Sequence, residues 1–534
     1  MTCRRIAALL LFCTVALQAQ DAPFDVRLEQ VDIPGFSGVQ SFAFGQHDGK
    51  WLILGGRIDG LHRRQPFASF AAAGQNTDAI VVDPRAARVW TAPLSLLPAA
   101  LSEPLSSTNM QFRQEGDMLY LVGGYGFSPT VDDHLTFATL TAVDVPAVIR
   151  DVVRGALHPA SFRQMSDTLF AVTGGRMDKI HDRFHLAGGH RFDGRYNPMG
   201  MSSFVQRYTD QIRSFRLVDD GVTLAVKDIA VSEDATNLHR RDYNLVPQIL
   251  AGGREGLTMF SGVFQPDADI PFLHSVTIDS SGYKVDTAFS QYYNHYHCAT
   301  LPLYSASTKE MHTVFFGGIA EYFDSAGVLS QDYNVPFVKT IARVTRDARG
   351  RMAEYKLPAE MPALLGAGAE FIPVPGVSRF PNGVLDLDNM ASDTVLAGYI
   401  VGGIASGAAN VFWINTGEES IASGRVFRVL LYNNPVSAPH ALNTQSVGAL
   451  RMQVLPFPYH GFISMTFQLP AGTKARLRIE DARGRIVVDR QLRKRAVAGK
   501  RTLKCAIRNL RAGGVFIARL ETANESVLQK IIVD

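Results

Sequence analysis

The feature of this 534-residue chain that most restricts its fold is a recurring phrase, a short apolar run closing on a small-residue pair. It reads Trp51-Leu-Ile-Leu-Gly-Gly56, Leu119-Tyr-Leu-Val-Gly-Gly124, Leu169-Phe-Ala-Val-Thr-Gly-Gly175, Leu257-Thr-Met-Phe-Ser-Gly262, Thr313-Val-Phe-Phe-Gly-Gly318 and Tyr399-Ile-Val-Gly-Gly403. Between the final glycines the steps are 68, 51, 87, 56 and 85 residues. That defines a unit of about 50 residues carrying insertions of variable size. Such a unit cannot bury its apolar surface alone, so the repeats must pack against one another.

The flanks repeat too. Upstream lies a strand-like segment, as in Met110 to Gln114 and Ser161 to Gln164, each containing Phe-Arg-Gln and each followed by a polar turn. Downstream comes an alternating strand that closes in a hairpin turn. Examples are Ala79 to Asp83 before Pro84, Ile212 to Val218 before Asp219-Asp-Gly221, Ser275 to Ile278 before Asp279-Ser-Ser-Gly282, and Thr340 to Thr345 before Asp347-Ala-Arg-Gly350. Period-two alternation with β-branched residues predicts four short strands per unit. The glycine pair fits places where inner strands crowd and the backbone needs positive φ.

On these residues the chain resembles the kelch-type β-propeller family, whose repeats carry a strand, a Gly-Gly pair and an outer aromatic in each four-stranded blade. Trp90 matches that aromatic in the first unit, whereas the other units lack a clear Trp there, and unit four has Ser261-Gly262 for the pair. The resemblance implies an all-β fold with a propeller over residues 25–440. The direct count is six blades, or seven if a poorly marked one hides before Gly262 or Gly403.

After Pro439 the composition changes. Residues 471–534 hold 16 Lys+Arg against 6 Asp+Glu, a net of +10 in a chain whose total is +3. Alternation in Lys474 to Ile479, Arg485 to Asp489 and Val515 to Leu520 predicts a small immunoglobulin-like β-sandwich over residues 450–534. This segment resembles the C-terminal sorting domain of the type IX secretion system of Bacteroidota. The matching residues are Leu455-Pro-Phe-Pro-Tyr459, Leu469-Pro470, the Gly484 turn, Leu510-Arg-Ala-Gly513 with Val515-Phe516, and Lys530-Ile-Ile-Val533, although the usual opening Asn-Pro pair is absent. The resemblance implies the type IX machinery as a partner, and release or surface attachment after the tail is removed.

The N-terminus supports export. Arg4 and Arg5, the apolar stretch Ile6 to Leu17, and Ala19 follow the order of a secretory signal peptide over residues 1–19. The expected location is therefore secreted or on the outer-membrane surface, reached through the periplasm. After residue 20 no apolar run reaches the roughly 20 residues of a spanning helix, so no transmembrane helix is expected. Without the signal peptide only Cys298 and Cys505 remain, in different predicted domains, which excludes a disulfide framework. A basic tail can attract polyanions, but it lacks an aromatic stacking stripe, so no nucleic-acid partner is expected.

Gly-x-Ser-x-Gly, the phosphate-binding Gly-x-x-x-x-Gly-Lys-Ser/Thr and His-Glu-x-x-His are all missing. Two clusters are candidates. Arg57, Arg113, Arg163, Arg176, Arg240 and Arg241 stand at segments that would enter a blade or leave its glycine pair, hence on one face around the channel. There they would bind carboxylate or sulfate groups, or pair with Asp59, Asp178 and Asp242. The second cluster is His181, His185 and His190 in a Gly-rich insertion, read as an exposed loop, with His295 and His297 two apart. No metal or cofactor is expected from them. The leading expectation is a glycan or protein ligand at the channel face. The alternatives are an epimerase or lyase acting on acidic sugars, with Glu321 and His297 as catalytic candidates, and a purely architectural surface protein.

Overall fold

The computed structural model describes residues 23–198, 203–325 and 328–432 and, beyond them, strands between residues 440 and 533. The residues of the expected signal peptide and most of those that carry the resemblance to a sorting domain, including Leu455 to Tyr459, Gly484 and Leu510 to Gly513, lie outside the described residues. Among the described residues the chain is all-β apart from short helical turns and two short α-helices.

Residues 25–432 form six successive sheets, each built on four antiparallel strands; five have only those four, and the fifth is widened to six by the two-residue strands Leu385–Asp386, which runs parallel to its first strand, and His440–Ala441 on its outer edge. The first comprises Ala43–His47, Lys50–Leu54, Asp78–Asp83 and Arg88–Pro93. The second has Gln111–Glu115, Met118–Val122, Thr139–Asp144 and Phe162–Ser166, the third Arg176–Ile180, Arg183–Ala187, Gln211–Asp219 and Leu224–Glu233. The fourth has Asn244–Leu250, Arg254–Phe260, Ser275–Asp279 and Gly282–Asp286, the fifth Ala299–Ser305, Glu310–Ile319, Phe337–Arg346 and Met352–Glu360. The sixth takes Ala369–Pro373, Thr394–Gly402 and Val426–Tyr432 from one end of this region and Asp25–Val31 from the other, paired Asp25 to Tyr432 through Val31 to Val426.

Trp51 to Leu54 is apolar without alternation because the second strand lies inside its sheet and is covered on both faces. The fourth strand of the third sheet faces solvent and is largely exposed. Apolar clusters join neighbours in sequence: Leu52 and Val81 with Leu119 and Leu121, Val122 and Leu140 with Met177 and Phe184, Ile180 and Ile212 with Leu257 and Met259. Val246 and Phe260 pack with Phe315, Leu301 and Phe316 with Ile400 and Val429, and the series closes as Tyr399 and Val401 meet Trp51 and Ile53.

Two circuits of backbone hydrogen bonds record the same closure. The N–H of the second small-pair glycine in each sheet donates to the segment leading into the next: Gly56 to Ser107 O (2.9 Å), Gly124 to Val172 O (2.9 Å), Gly189 to Arg240 O (2.7 Å), Gly262 to His295 O (3.1 Å), Gly318 to Leu365 O (2.8 Å) and Gly403 to Val39 O (2.9 Å). The second circuit runs through the lead-in residues themselves. Asn109 N donates to Ser41 O, Gly174 to Asn109, Asp242 to Gly174, His297 to Asp242, Gly368 to His297, and Ser41 back to Gly368 O, at 2.7–3.3 Å. At Gly56 the need for glycine is direct, since φ is +83° and a Cβ would stand 2.5 Å from Gln40 O. The arrangement is consistent with a propeller.

One repeat assignment is corrected by these bonds. Gly174-Gly175 belongs to the lead-in of the third sheet, and the structural pair is Gly188-Gly189, at the end of Phe184-His-Leu-Ala-Gly-Gly189. The steps between second glycines then become 68, 65, 73, 56 and 85, more even than before. The segment around Phe162 to Gln164 is accordingly the outermost strand of the second sheet and not the start of the third.

Beyond residue 440, strands Arg451–Val454, Phe462–Leu469 and Gly499–Ala506 form one sheet. Ala475–Asp481, Ile486–Leu492, Gly514–Glu521 and Glu525–Val533 belong to another. That second sheet is extended by the hairpin Tyr322–Ser325 and Val328–Asp332, an insertion of the fifth sheet. Among the described residues no helix is long and apolar enough to cross a membrane.

Candidate functional site

In each of the six sheets the connection from second to third strand starts at the small-residue pair, beside the lead-in circuit. These connections are therefore gathered at one end. Those of the second and third sheets contribute Tyr125–Ser128, Asp133–Thr136, His190–Gly194 and Phe204–Tyr208, which join into a four-stranded sheet of their own. Together with the lead-in residues they enclose a cavity of about 550 Å³.

Its floor is polar and comes from the circuit: Ser41, Asn109, Asp242 and His297, with Gln40, Thr108 and Thr173 beside them. Its wall is aromatic. Phe70 meets Tyr125 edge-on at 5.3 Å and Tyr196 at 5.9 Å; Phe192 contacts Tyr125 and Tyr196 at 5.2 and 5.4 Å; Phe204 closes the row against Phe192 and Tyr196. Edge-to-face packing of this kind fixes the rings and leaves flat faces to a ligand. Tyr125 Oη donates to Gly194 O and accepts from Tyr196 N, tying the wall to the joint sheet. Phe264, Tyr296, Tyr333, Phe412 and Trp413 complete the aromatic lining, the last half exposed.

Of the expected arginines, Arg57 and Arg241 line this cavity. Arg57 is buried and gripped bidentately by Asp59 at 2.7 and 2.6 Å, with Phe70 under its guanidinium. Arg241 donates from Nε to Tyr208 Oη at 3.2 Å, meets Asp242 at 3.3 Å and lies over Phe264. Arg176 lies beneath the floor on the innermost strand of the third sheet, bonded to Glu370 on the innermost strand of the sixth. His297 reaches the same carboxylate at 2.9 Å, so Arg176, His297 and Glu370 converge below the cavity.

The remaining three arginines do not converge there. Arg113 pairs with Asp178 and Glu115 away from the cavity. Arg163, placed on the outermost strand of the second sheet by the corrected repeat, is clamped by both oxygens of Asp219. Arg240 is fully buried; it donates to the carbonyls of Asn237, Ser261 and His274 and stacks on Phe272, and burial lowers its pKa to about 9. Glu321 is buried beside Gln331, and burial raises its carboxyl to about 7, but it does not line the cavity.

The histidine segment is corrected too. Residues 181–195 are not an exposed loop but carry strands Arg183–Ala187 and His190–Gly194, with His185 and His190 buried. His190 lines the cavity and holds Gln206 at 2.8 Å, while His295 accepts from Glu321 N. Burial, reinforced by Arg241, lowers His62 to about 4 and His190 well below its ordinary value, so both are neutral at pH 7. Among the described residues no group of three His, Cys, Asp or Glu side chains is placed to hold a metal ion.

Reasoning from the sequence missed the aromatic wall, although its signal was present. The post-glycine insertions hold Phe67 and Phe70, Tyr125 and Phe127, and Phe192, Tyr196, Phe204 and Tyr208. Glu370 carried no such signal, being one acid on an ordinary strand.

Fold and site together define an all-β protein of serial four-stranded sheets with a ligand-sized, aromatic-walled cavity at one end. No family model matches the chain, and no curated protein does. Among solved structures it is similar to one described as "Structure of YjhT", at 11% identity and a TM-score of 0.42, covering 75% of this chain and 99% of that one.

Proposed function

We propose that this chain is an exported six-bladed kelch-like β-propeller that binds a glycan in the cavity on its channel face, followed by an immunoglobulin-like domain that directs type IX secretion. The signal-peptide pattern and the motifs of the tail support the export half of the reading. The observation that carries the binding half is the aromatic wall, Phe70, Tyr125, Phe192, Tyr196 and Phe204, standing over a polar floor of backbone-anchored side chains. Sugars present apolar C–H faces and hydroxyl edges, and a cavity of about 550 Å³ lies within the size range of small-molecule sites. Arg57 is already neutralised by Asp59, which favours neutral or singly anionic sugars over polyanions.

The test is calorimetric titration of the full chain with a panel of neutral and acidic oligosaccharides, repeated on Tyr196→Ala. Binding of at least one sugar, weakened tenfold or more by the substitution, supports the reading. A folded protein that binds none of them removes it and turns the search to protein partners or a spacer role. A second reading, catalysis on acidic sugars, draws on the contact of His297 with Glu370 at the cavity floor. It requires turnover that His297→Ala abolishes while binding persists.

A further inference from the structure

The hairpin Tyr322–Ser325 and Val328–Asp332 leaves the fifth sheet and pairs with none of the other five. Its second strand instead pairs in parallel with the start of the last strand of the chain, Leu329 with Glu525 through Asp332 with Leu528. The contact is closed to water: Ser330 and Ser526 are buried with their hydroxyls 2.7 Å apart, and Val527 and Leu528 are buried beside them. The residues immediately after this strand, Tyr333, Asn334 and Val335, line the ligand cavity.

Between strand and cavity the connection is stiff. Asp332 accepts from the backbone and side chain of Asn334, its N–H donates to Glu321 O, and its carbonyl accepts from Val335 N. Its second carboxylate oxygen accepts from Asn410 of the sixth-sheet insertion, while Gln331 donates to Glu321. A two-stranded ribbon is marginal in water by itself. The tail strand, lying along its free edge, supplies the missing neighbour.

We propose that the final strand of the chain is a brace for the ligand cavity: residues 525–528 dock by strand addition on the fifth-sheet hairpin and hold the wall segment 333–335 in place. Removing or unpairing the tail then loosens that wall, so the chain with and without its basic tail presents two different cavities. For ligand affinity this inference rests on the binding reading above, whereas the strand docking itself does not.

The test uses the full chain in a background of Cys3→Ser, Cys13→Ser and Cys505→Ser, carrying Ser330→Cys and Ser526→Cys. Register and side-chain separation place the two sulfurs for a disulfide, and Cys298 is buried elsewhere. Expected are a near-complete intramolecular disulfide on mild oxidation and amide exchange over 328–335 at least tenfold slower in the oxidised than in the reduced protein carrying Val527→Pro. A folded protein that forms no disulfide overturns the docking, and exchange equal in both states overturns the bracing. If Val527→Pro fails to fold, Val527→Arg, which puts a charge into the closed contact, replaces it with the same two outcomes. Because exchange is read without ligand, failure of the brace and failure of the glycan reading are separate results.

Discussion

Removing Glu370 should cost far more stability than its single position on one strand suggests. Arg176 Nη1 and Nη2 lie 3.1 and 3.2 Å from its Oε1, and His297 Nε2 lies 2.9 Å away. The two charged side chains are 18% and 11% exposed, so water screens them poorly. At 3.1 Å and an effective dielectric of about 20, the attraction is about 5 kcal/mol. Stripping water from both ions offsets most of that. The net worth of the pair is small, but losing one member leaves the other buried and alone. Glu370→Leu and Arg176→Met should therefore each destabilise by about 3–5 kcal/mol, and the double variant should recover most of the loss. Urea unfolding at pH 7, followed through the buried Trp51, gives the four corners of the cycle. Burial pushes the Glu370 carboxyl up, but Arg176 and His297 pull it further down, below its ordinary value. The coupling is thus full above the ordinary carboxylate range and disappears as pH falls through the lowered folded value. Additive single effects, with a coupling under about 0.5 kcal/mol, would refute the idea that an ion pair joins the third and sixth sheets beneath the cavity.

Other perturbations separate ligand groups from scaffold. Arg163→Ala should leave affinity for any cavity ligand unchanged while lowering the urea midpoint, whereas Arg241→Ala should weaken binding at least tenfold in the same titration. Trp413 lines the cavity half exposed while Trp51 is buried, so a ligand-induced fluorescence change should disappear in Trp413→Phe. Burial raises Glu354, which accepts from Tyr292 N and Tyr293 N, to about 8. Its folded form holds a proton that the unfolded chain releases above the ordinary 4.5, so it erodes stability as pH climbs towards 8. The urea midpoint at pH 5 and 8 should therefore fall less in Glu354→Gln than in the parent chain. Gly56→Ala should cost about 1–3 kcal/mol through its forced positive φ, and a thermal midpoint equal to that of the parent would contradict the crowding at Gln40.

Much of the scaffold was legible because its determinants are local. An apolar run ending in two small residues needs no distant partner to be recognised, and the hairpin turns at Asp219-Asp-Gly221 and Asp347-Ala-Arg-Gly350 sit where alternation places them. The third unit misled because Gly174-Gly175 and Gly188-Gly189 stand 14 residues apart and either completes the phrase; only the bond from Gly189 to Arg240 O distinguishes them. That single choice moved Arg163 from a supposed ligand face to an outer strand. The cavity was less legible because its members come from six insertions that are neighbours only once the sheets have closed. Reading charge alone drew attention to arginines, most of which are consumed by internal carboxylates such as Asp178, Asp219 and Glu370.

The sixth sheet has a consequence for how the chain reaches this state. Its outer strand is the first strand of the six-sheet region to be made and that strand's neighbour the last, since Asp25 pairs with Tyr432 some 400 positions later. Until residue 432 exists, the growing protein carries two raw strand edges, each a template for pairing with another molecule. Closure is therefore an all-at-once, late event, and any nick, truncation or stalled synthesis before it yields an open, sticky arc and not a smaller working version.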